Sequence, residues 1–268
     1  MLRYCTSLFL LLVAVVAYAQ EDKTIDLNPK DTLVYKQPYG LRVGIDLSRP
    51  ITSFFDDNYT GLEFVGDYRL SQKLYLAGEL GNEKKTRTET VGENQIDTGD
   101  GELYTFTASG SYIKLGVDYN TYGNWYGEQN MITVGGRYAF SSFSQTVNNY
   151  NIYESNRYWN PTGFTPGALP EREFKGRTAS WIEGVVGMKM ELFHNLYLGG
   201  SIRLGILITN PDKESTAFRN LFIPGFNKVT DGSRFGVGYN YSITYLVPLY
   251  KKRKKQEEAT ETDTEERP

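Results

Sequence analysis

The chain has 268 residues, 29 of them basic and 32 acidic, with a single histidine and a single cysteine. This balance offers no basic surplus for nucleic-acid binding, and after residue 19 no run approaches the roughly 18 consecutive apolar residues of a membrane helix. The 21 tyrosines, 14 phenylalanines and 27 glycines are typical instead of alternating membrane strands.

The N-terminus is predicted to be a signal peptide over residues 1–19. Arg3 precedes the apolar run 8–17, which is too short to span a bilayer, and Ala17-Tyr18-Ala19 forms a small-x-small cleavage site. A membrane anchor is the alternative, but the short run disfavours it. Because Cys5 lies in this segment, the mature chain has no disulfide and needs another source of stability, which a closed barrel provides.

Three further segments are predicted. Residues 20–38 are polar and form a periplasmic lead-in, and residues 39–250 form a transmembrane β-barrel. Residues 251–268 carry five bases followed by six acids, so they are predicted to be a disordered periplasmic tail. The basic half of that tail either contacts anionic headgroups or is simply solvated.

Eight runs with a period of two residues predict eight strands. They are Tyr39–Ser48, Gly61–Leu70, Leu74–Asn82, Tyr104–Asn120, Asn130–Thr146, Arg177–Leu192, Leu196–Thr209 and Arg234–Leu249. Two connections are tight turns (71–73 and 193–195) and one is of moderate length (121–129), and they alternate with long polar loops (49–60, 83–103, 147–176, 210–233). Outer-membrane barrels have short periplasmic turns and long external loops. We therefore expect an outer-membrane protein with both termini in the periplasm and its long loops outside.

The last run shows the pattern most clearly. Its outward set is Phe235, Val237, Tyr239, Tyr241, Ile243, Tyr245, Val247 and Leu249. The alternate set contains glycine and small polar residues, broken only by Leu246. Apolar residues toward lipid and polar residues toward the lumen indicate an all-β fold, namely an eight-stranded antiparallel transmembrane β-barrel of the outer-membrane type.

The inward positions of the other strands carry charges that we predict to form a lumen ion-pair network. Its members are Arg42, Asp46, Glu63, Asp67, Arg69, Glu79, Lys114, Asp118, Arg137, Glu183, Lys189, Glu191 and Arg203. Seven acids face six bases, and an eight-stranded barrel is just wide enough for side chains to fill it. A charge-lined conduit is the alternative, which the narrow width disfavours.

The sequence offers no catalytic residue, cofactor site or metal site. The single histidine, His194, falls in a predicted periplasmic turn, away from the outer rim where a hydrolytic base would be needed. Glu63 and Asp67 share a strand face with Arg69, so charge pairing accounts for them. Asp56-Asp57-Asn58 could bind calcium, but such triplets more often form turns.

The long loops carry aromatic residues that form a candidate partner interface. These are Tyr150, Tyr153, Tyr158, Trp159, Phe164, Phe218, Phe222 and Phe226. Exposed aromatic side chains are unfavourable unless a partner covers them. The alternative is that the loops pack on one another as a cap over the barrel mouth, and the sequence favours neither.

The runs Tyr39–Ser48, Gly61–Tyr75 and Tyr245–Lys251 give nearly the whole mature chain a resemblance to a known family. It resembles small Gram-negative outer-membrane β-barrel proteins of unassigned function. The chain departs from simple barrels after Tyr250, where eighteen more residues follow in place of a terminal aromatic signal.

The resemblance implies a non-enzymatic barrel that serves as a structural or partner-binding subunit. Some such barrels act as accessory components of an outer-membrane assembly machine such as the barrel assembly complex. The expected partners are outer-membrane lipid and other outer-membrane or periplasmic proteins, with no nucleic acid. The alternatives are a small ligand-binding barrel or narrow pore, which needs a less charged lumen, and an enzyme, which needs a catalytic constellation at the rim.

Overall fold

The computed structural model describes residues 36–90, 102–122, 129–148, 150–153, 164–166, 172–209, 220–226 and 234–253. The predicted signal peptide, the lead-in up to residue 35 and the tail beyond residue 253 lie outside these ranges. No helix within them is both long enough and apolar enough to cross a membrane.

The described chain is almost entirely β-structure, with one short helix. Its elements are β1 (Lys36–Asp46), α1 (Ser48–Phe55), β2 (Tyr59–Arg69), β3 (Leu74–Thr90), β4 (Glu102–Asn120), β5 (Met131–Asn148), β6 (Asn151–Tyr153), β7 (Phe164–Pro166), β8 (Arg172–Phe193), β9 (Leu196–Thr209) and β10 (Phe235–Arg253).

Eight strands form one antiparallel sheet in the order β1-β10-β9-β8-β5-β4-β3-β2, and β1 pairs with β2 so that the sheet closes. The predicted all-β fold with eight antiparallel strands is confirmed. We start at Val237 of β10 and move from each residue to its pairing partner on the next strand. One full circuit of the sheet ends at Val247, which lies ten residues further along β10. This stagger corresponds to strands tilted by about 40° and to an interior that side chains can fill.

Three predicted loops contain regular structure that we did not expect. α1 occupies most of 49–60, β3 continues to Thr90 instead of ending at Asn82, and β6 pairs with β7 inside 147–176. The prediction missed the end of β3 because its outward residues there are polar and no apolar alternation marks them. Cross-strand hydrogen bonds join Thr86 to Thr107 and Thr88 to Thr105 in this part of the sheet.

Two of the tight turns are confirmed. Residues 71–73 connect β2 to β3, and His194-Asn195 connects β8 to β9. Asn195 adopts φ 66, a left-handed conformation that asparagine tolerates better than most residues. Its N–H donates to a Glu191 carboxylate oxygen at 3.0 Å, which fixes the turn to the end of β8.

The two faces of the sheet exchange character at the pair Leu80–Ile113 of β3 and β4. We call the part of the sheet on the tight-turn side of this pair the lower zone, and the part beyond it the upper zone. In the lower zone the outward side chains are large, apolar and exposed, including Leu76 on β3 and Leu115 on β4. In the upper zone the outward face of β3 and β4 is polar, and Asn82 donates a hydrogen bond to Ser111 at 2.9 Å.

The interior reverses in the opposite sense. The lower zone is filled by charged side chains, whereas the upper zone encloses two apolar clusters. The first consists of Tyr112, Ala139, Phe143, Ala179, Trp181, Leu207, Ile223 and Phe226, and the second of Phe106, Ala108, Val147 and Phe222. On β3 and β4 the upper zone thus combines an apolar interior with the polar exterior of a water-soluble protein, whereas β10 keeps the exposed apolar residues Phe235 and Val237 on its outward face.

Candidate functional site

The centre of the lower zone is an ion-pair cluster around Glu79, which β3 directs inward. Arg203 reaches one Glu79 oxygen at 2.5 Å, Arg137 reaches the other at 3.4 Å, and Lys114 lies 4.0 Å away. These cations come from β9, β5 and β4, so the cluster ties distant strands together across the interior. Such a group stays charged at low cost only when its neighbours compensate it fully.

Two more acids complete the centre. Lys114 binds Glu183 at 3.0 Å, and the indole N–H of Trp181 donates to the same carboxylate at 2.6 Å. Asp118 accepts two hydrogen bonds of 2.8 Å from the Arg137 guanidinium, the bidentate geometry that makes arginine–carboxylate pairs strong.

The turn-side end of the interior is organised around Asp67. Arg42 binds this carboxylate at 2.6 Å, and Lys189 is bonded to its other oxygen. The Arg42 guanidinium also lies over the rings of Tyr75 and Tyr197, at 4.9 and 5.2 Å. Charge pairing and cation–π contacts together stabilise this buried cation.

All thirteen residues of the predicted network lie on the inward face of the sheet. Eleven of them take part in ion pairs of 4.0 Å or less. The other two bind near the turns: Arg69 donates to the carbonyls of Ser71, Gln72 and Pro38, and Glu191 binds the turn after β8.

The sequence analysis missed two charged members of the interior, Arg49 and Glu83. They bind each other at 2.7 Å, and Arg49 also lies 3.6 Å from Glu63 and from Asp46. Burial alone would lower the pKa of Arg49, but the charges of Glu83 and Glu63 outweigh burial and hold that pKa well above its usual value. Glu83 could have been found, because it continues the inward alternation of Glu79, whereas no periodicity marks Arg49.

Residues 220–226, which we call the cap segment, close the upper end of the interior. The Gly225 N–H donates to Glu83 at 2.9 Å, and the Leu221 N–H donates to the Gln145 side chain at 2.9 Å. Ile223 is fully buried, and the Phe226 ring packs edge-on against Trp181 at 5.4 Å. The cap segment therefore belongs to the core of the upper zone.

The cap segment corrects part of the predicted partner interface. Phe222 and Phe226 are only 4% and 3% exposed, so the expectation that they form an exposed surface is wrong. They are buried because the interior of the upper zone holds few charged side chains and is filled mainly by apolar ones. Tyr150 is half-buried and packs against the cluster that contains Phe222.

Of the remaining predicted interface residues, the structure describes only two, and it brings their backbones together. Tyr153 and Phe164 are backbone partners in the β6–β7 pair. Tyr158, Trp159 and Phe218 lie outside the described residues.

The interior of the lower zone has little free space. One cavity there has a volume of about 40 Å³ and is lined by residues such as Glu79, Arg137 and Ser201. This space is large enough for only a few water molecules. A second cavity, of about 180 Å³, lies beside α1.

Among the described residues that we considered for catalysis or metal binding, Asp56 and Glu63 have structural partners. His194 is exposed in the turn between β8 and β9. Asp56 accepts a hydrogen bond from the Asn58 N–H at 3.0 Å, which is turn chemistry. Glu63 accepts hydrogen bonds from Tyr112 at 2.5 Å and from Asn240 at 3.3 Å. Within the described ranges, no three His, Cys, Asp or Glu residues are grouped so as to hold a metal.

Comparison with protein families assigns the sequence to one group. A family model described as a domain of unknown function (DUF6048) matches residues 1–252. The chain belongs to this family. No curated protein and no solved structure matches it. The family assignment covers all eight strands of the closed sheet and names no activity.

Proposed function

We propose that the protein is an integral outer-membrane β-barrel whose lower zone spans the bilayer, and that it serves as a non-enzymatic structural or partner-binding subunit. The observation that supports this most strongly is the reversal of the two faces at the Leu80–Ile113 pair. A water-soluble barrel would keep its apolar side chains inside along its whole height. A band that is apolar outside and charged inside fits lipid as the surrounding solvent.

The height of the apolar band fits a bilayer. On β5 the outward apolar residues run from Ile132 to Phe140, and on β8 they run from Ile182 to Leu192. At about 3.3 Å per residue and a tilt of about 40°, these stretches are about 20 and 25 Å tall. The lipid-facing band of outer-membrane barrels is about 25 Å tall.

The direction of insertion follows from the asymmetry of the two ends. The tight turns are on the lower side, and the upper zone, α1 and the cap segment are on the other. In outer-membrane barrels the short turns face the periplasm, so both termini are proposed to be periplasmic and the upper zone to lie outside the cell. A signal peptide over residues 1–19 would deliver the chain to this compartment.

The proposed role is to hold a partner, not to conduct or catalyse. Ion pairs occupy the lower interior and the cap segment closes the upper one, so a transport path would require both to rearrange. By resemblance, the partners are other outer-membrane or periplasmic proteins, as in an accessory subunit of a barrel assembly complex. Trp159 and Tyr158 remain the proposed contact residues of the external loops.

Two measurements test this proposal in turn. The purified full chain should migrate faster on a gel before boiling than after it, and it should resist extraction from vesicles by urea. Gentle detergent extraction of native membranes should then recover specific partner proteins with the chain. The Trp159→Ala variant should lose them, and Trp125→Ala, on the predicted periplasmic turn, should keep them. An identical set of partners for both variants would exclude the loop interface.

A further inference from the structure

The wall of the closed sheet changes from strand to helix at one place. β1 ends at Asp46, opposite Ser242, while β10 continues to Phe235 and β2 to Tyr59. The chain after β1 is held between these two strands. Leu47 N–H donates to the Tyr241 carbonyl of β10 at 2.6 Å.

The other side of α1 is attached to β2. The Gly61 N–H donates to the Ser53 hydroxyl at 2.9 Å, and Arg49 binds the inward Glu83. α1 thus replaces the missing continuation of β1 as the wall between β10 and β2. A helix cannot make the continuous backbone ladder that joins neighbouring strands, so this is where the wall is least tightly sealed.

The cavity of about 180 Å³ lies at this place, and we call it the α1 cleft. Its inner lining includes Arg49, Tyr59 and Phe222, which are all buried. Its outer lining includes Val237 and Tyr239, which are 67% and 58% exposed on the outward face of β10. The cleft therefore runs from the interior of the upper zone to the outer surface.

Among the described residues that line the α1 cleft, Lys85 carries a positive charge that no described carboxylate balances. Arg49 is compensated by Glu83. Lys85 also lines the cleft, and its ammonium group lies over the rings of Tyr59 and Phe222, at 5.8 and 5.9 Å. Within the described part of the chain Lys85 forms no ion pair, so its charge is available to an anion.

The cleft lies at the level where the outward face of β3 turns polar. The cap segment contacts Gly236 of β10 and binds Glu83 of β3, so these two positions have the same height. Their outward neighbours are Val237 and Asn82, and Asn82 is the first polar outward residue above Leu80 on β3. In the proposed orientation this is the headgroup level of the external leaflet.

We propose that the α1 cleft binds the anionic headgroup of a lipid of the external leaflet, with the headgroup charge on Lys85 and the acyl chains on the outward face of Val237 and Tyr239. The cleft has a volume of about 180 Å³ and opens to the outer surface beside these two side chains. The apolar side chains of Phe54 and Phe55 on α1 are 83% and 81% exposed and extend the apolar surface beside it. This inference rests on the proposed membrane insertion.

A tryptophan reporter at the cleft tests the proposal. The full-length Tyr239→Trp variant is placed in phosphatidylcholine vesicles that contain an equal fraction of either brominated phosphatidylglycerol or brominated phosphatidylcholine. Bromine on the acyl chains quenches a nearby tryptophan, and the signal is compared with that of the protein without the reporter. One basic residue at a membrane surface contributes about 1 kcal/mol, so we expect quenching to reflect about fivefold enrichment of the anionic lipid.

Matched variants locate the effect. Lys85→Gln should remove the preference for the anionic lipid, whereas Lys84→Gln, the outward neighbour on β3, should keep it. A reporter at Phe140→Trp, on the outward face of β5, should be quenched equally by both lipids. Val237→Trp serves as a second reporter if Tyr239→Trp loses the gel shift of the folded protein.

The outcomes separate the two proposals. If both reporters are quenched, but equally by both lipids, the protein is inserted and the headgroup site is wrong. If Phe140→Trp is quenched by neither lipid, the bilayer insertion fails and the headgroup site fails with it. Added inorganic phosphate should leave the preference unchanged, and abolition of the preference by phosphate would show that the cleft takes the free anion and not the lipid.

Discussion

The lower and upper zones are built from the same strands but divide their side chains in opposite ways. On β4, Lys114 points inward and Leu115 outward in the lower zone, whereas Phe106 points inward and Thr107 outward in the upper zone. Strand geometry is unchanged between them, so it does not cause the difference. The polarity of the outward side chains matches the solvent around each zone, which we propose to be lipid around the lower zone and water around the upper zone.

The two zones are consequently stabilised in different ways. Burying apolar side chains stabilises the upper zone by about 25 cal/mol per Å² removed from water. The lower zone gains little from apolar burial within the protein, and its interior is held by ion pairs whose attraction must offset their desolvation. The upper zone should therefore tolerate loss of an exposed charge such as that of Lys84, whereas the lower zone should not tolerate loss of one of its buried cations.

Removing one cation from the lower zone should have the largest effect. Arg203→Ala leaves an excess negative charge among Glu79, Glu63 and Glu183, which lie 2.5 to 3.9 Å from the guanidinium. We expect the free energy of unfolding from vesicles to fall by about 3–5 kcal/mol. Lys84→Ala, an exposed lysine of the upper zone, is the control, and urea titration followed by gel shift measures both. Equal stability of the two variants would contradict the claim that the buried carboxylates of the lower zone depend on their cationic partners.

Adding a charge to the outer face should lower the free energy of unfolding more in the lower zone than in the upper zone. Leu115→Arg places a guanidinium in the apolar band and should cost about 2–4 kcal/mol, whereas a position near the interface costs about 0–1 kcal/mol. Ser111→Arg, four residues away on the same strand and face, is the matched variant. Unfolding titrations in the same vesicles give the difference, and equal costs would place both positions in the same solvent.

A change in the cap segment should have a smaller effect that is confined to the upper zone. Gly225 has φ 84, and a methyl group there would approach the Tyr112 ring to 2.5 Å. Gly225→Ala should therefore destabilise the cap by about 1–3 kcal/mol. Faster hydrogen exchange in residues 220–226 would report this, with no change in the lower zone. Gly184→Ala is the control, because a methyl group there meets nothing within 4 Å.

The filled interior also predicts an absence of current. The purified wild-type protein in a planar bilayer should show no stable open channel, since ion pairs and the cap segment block the axis. A reproducible open state of fixed conductance would contradict this and favour the narrow-pore alternative. The Gly225→Ala variant should remain closed as well, because the lower ion pairs block the axis without the cap.

The sequence predicted the parts of the fold that alternation specifies. The eight strands and the inward position of the thirteen charges follow from a period of two residues, as on β10. It failed where a period of two residues is absent: the Thr-rich upper part of β3 has no apolar face, and the eight-residue helix α1 carries its apolar residues at helical spacing instead. Arg49 and its contact with Glu83 depend on where α1 stands, which is a tertiary property.

The loop aromatics show a second limit of local patterns. Phe222 and Phe226 occur in a long polar connection, which suggested exposure, yet they fill the upper interior. The local sequence does not distinguish an aromatic residue that is buried under the end of the sheet from one that is exposed and binds a partner protein. Strands β4, β5 and β8 extend above the charged centre, and the space between them is filled by these aromatic side chains. Their burial therefore depends on the tertiary fold and not on the local sequence.

The most direct test of the central claim is a cysteine scan along the outward face of β5. Single cysteines replace Val134, Tyr138, Phe140, Ser142 and Ser144 in a Cys5→Ser background, and the protein in vesicles is treated with a membrane-impermeant maleimide. We predict labelling at positions 142 and 144 and protection at positions 134, 138 and 140. Uniform labelling along the strand would show that water surrounds both zones and would contradict the account.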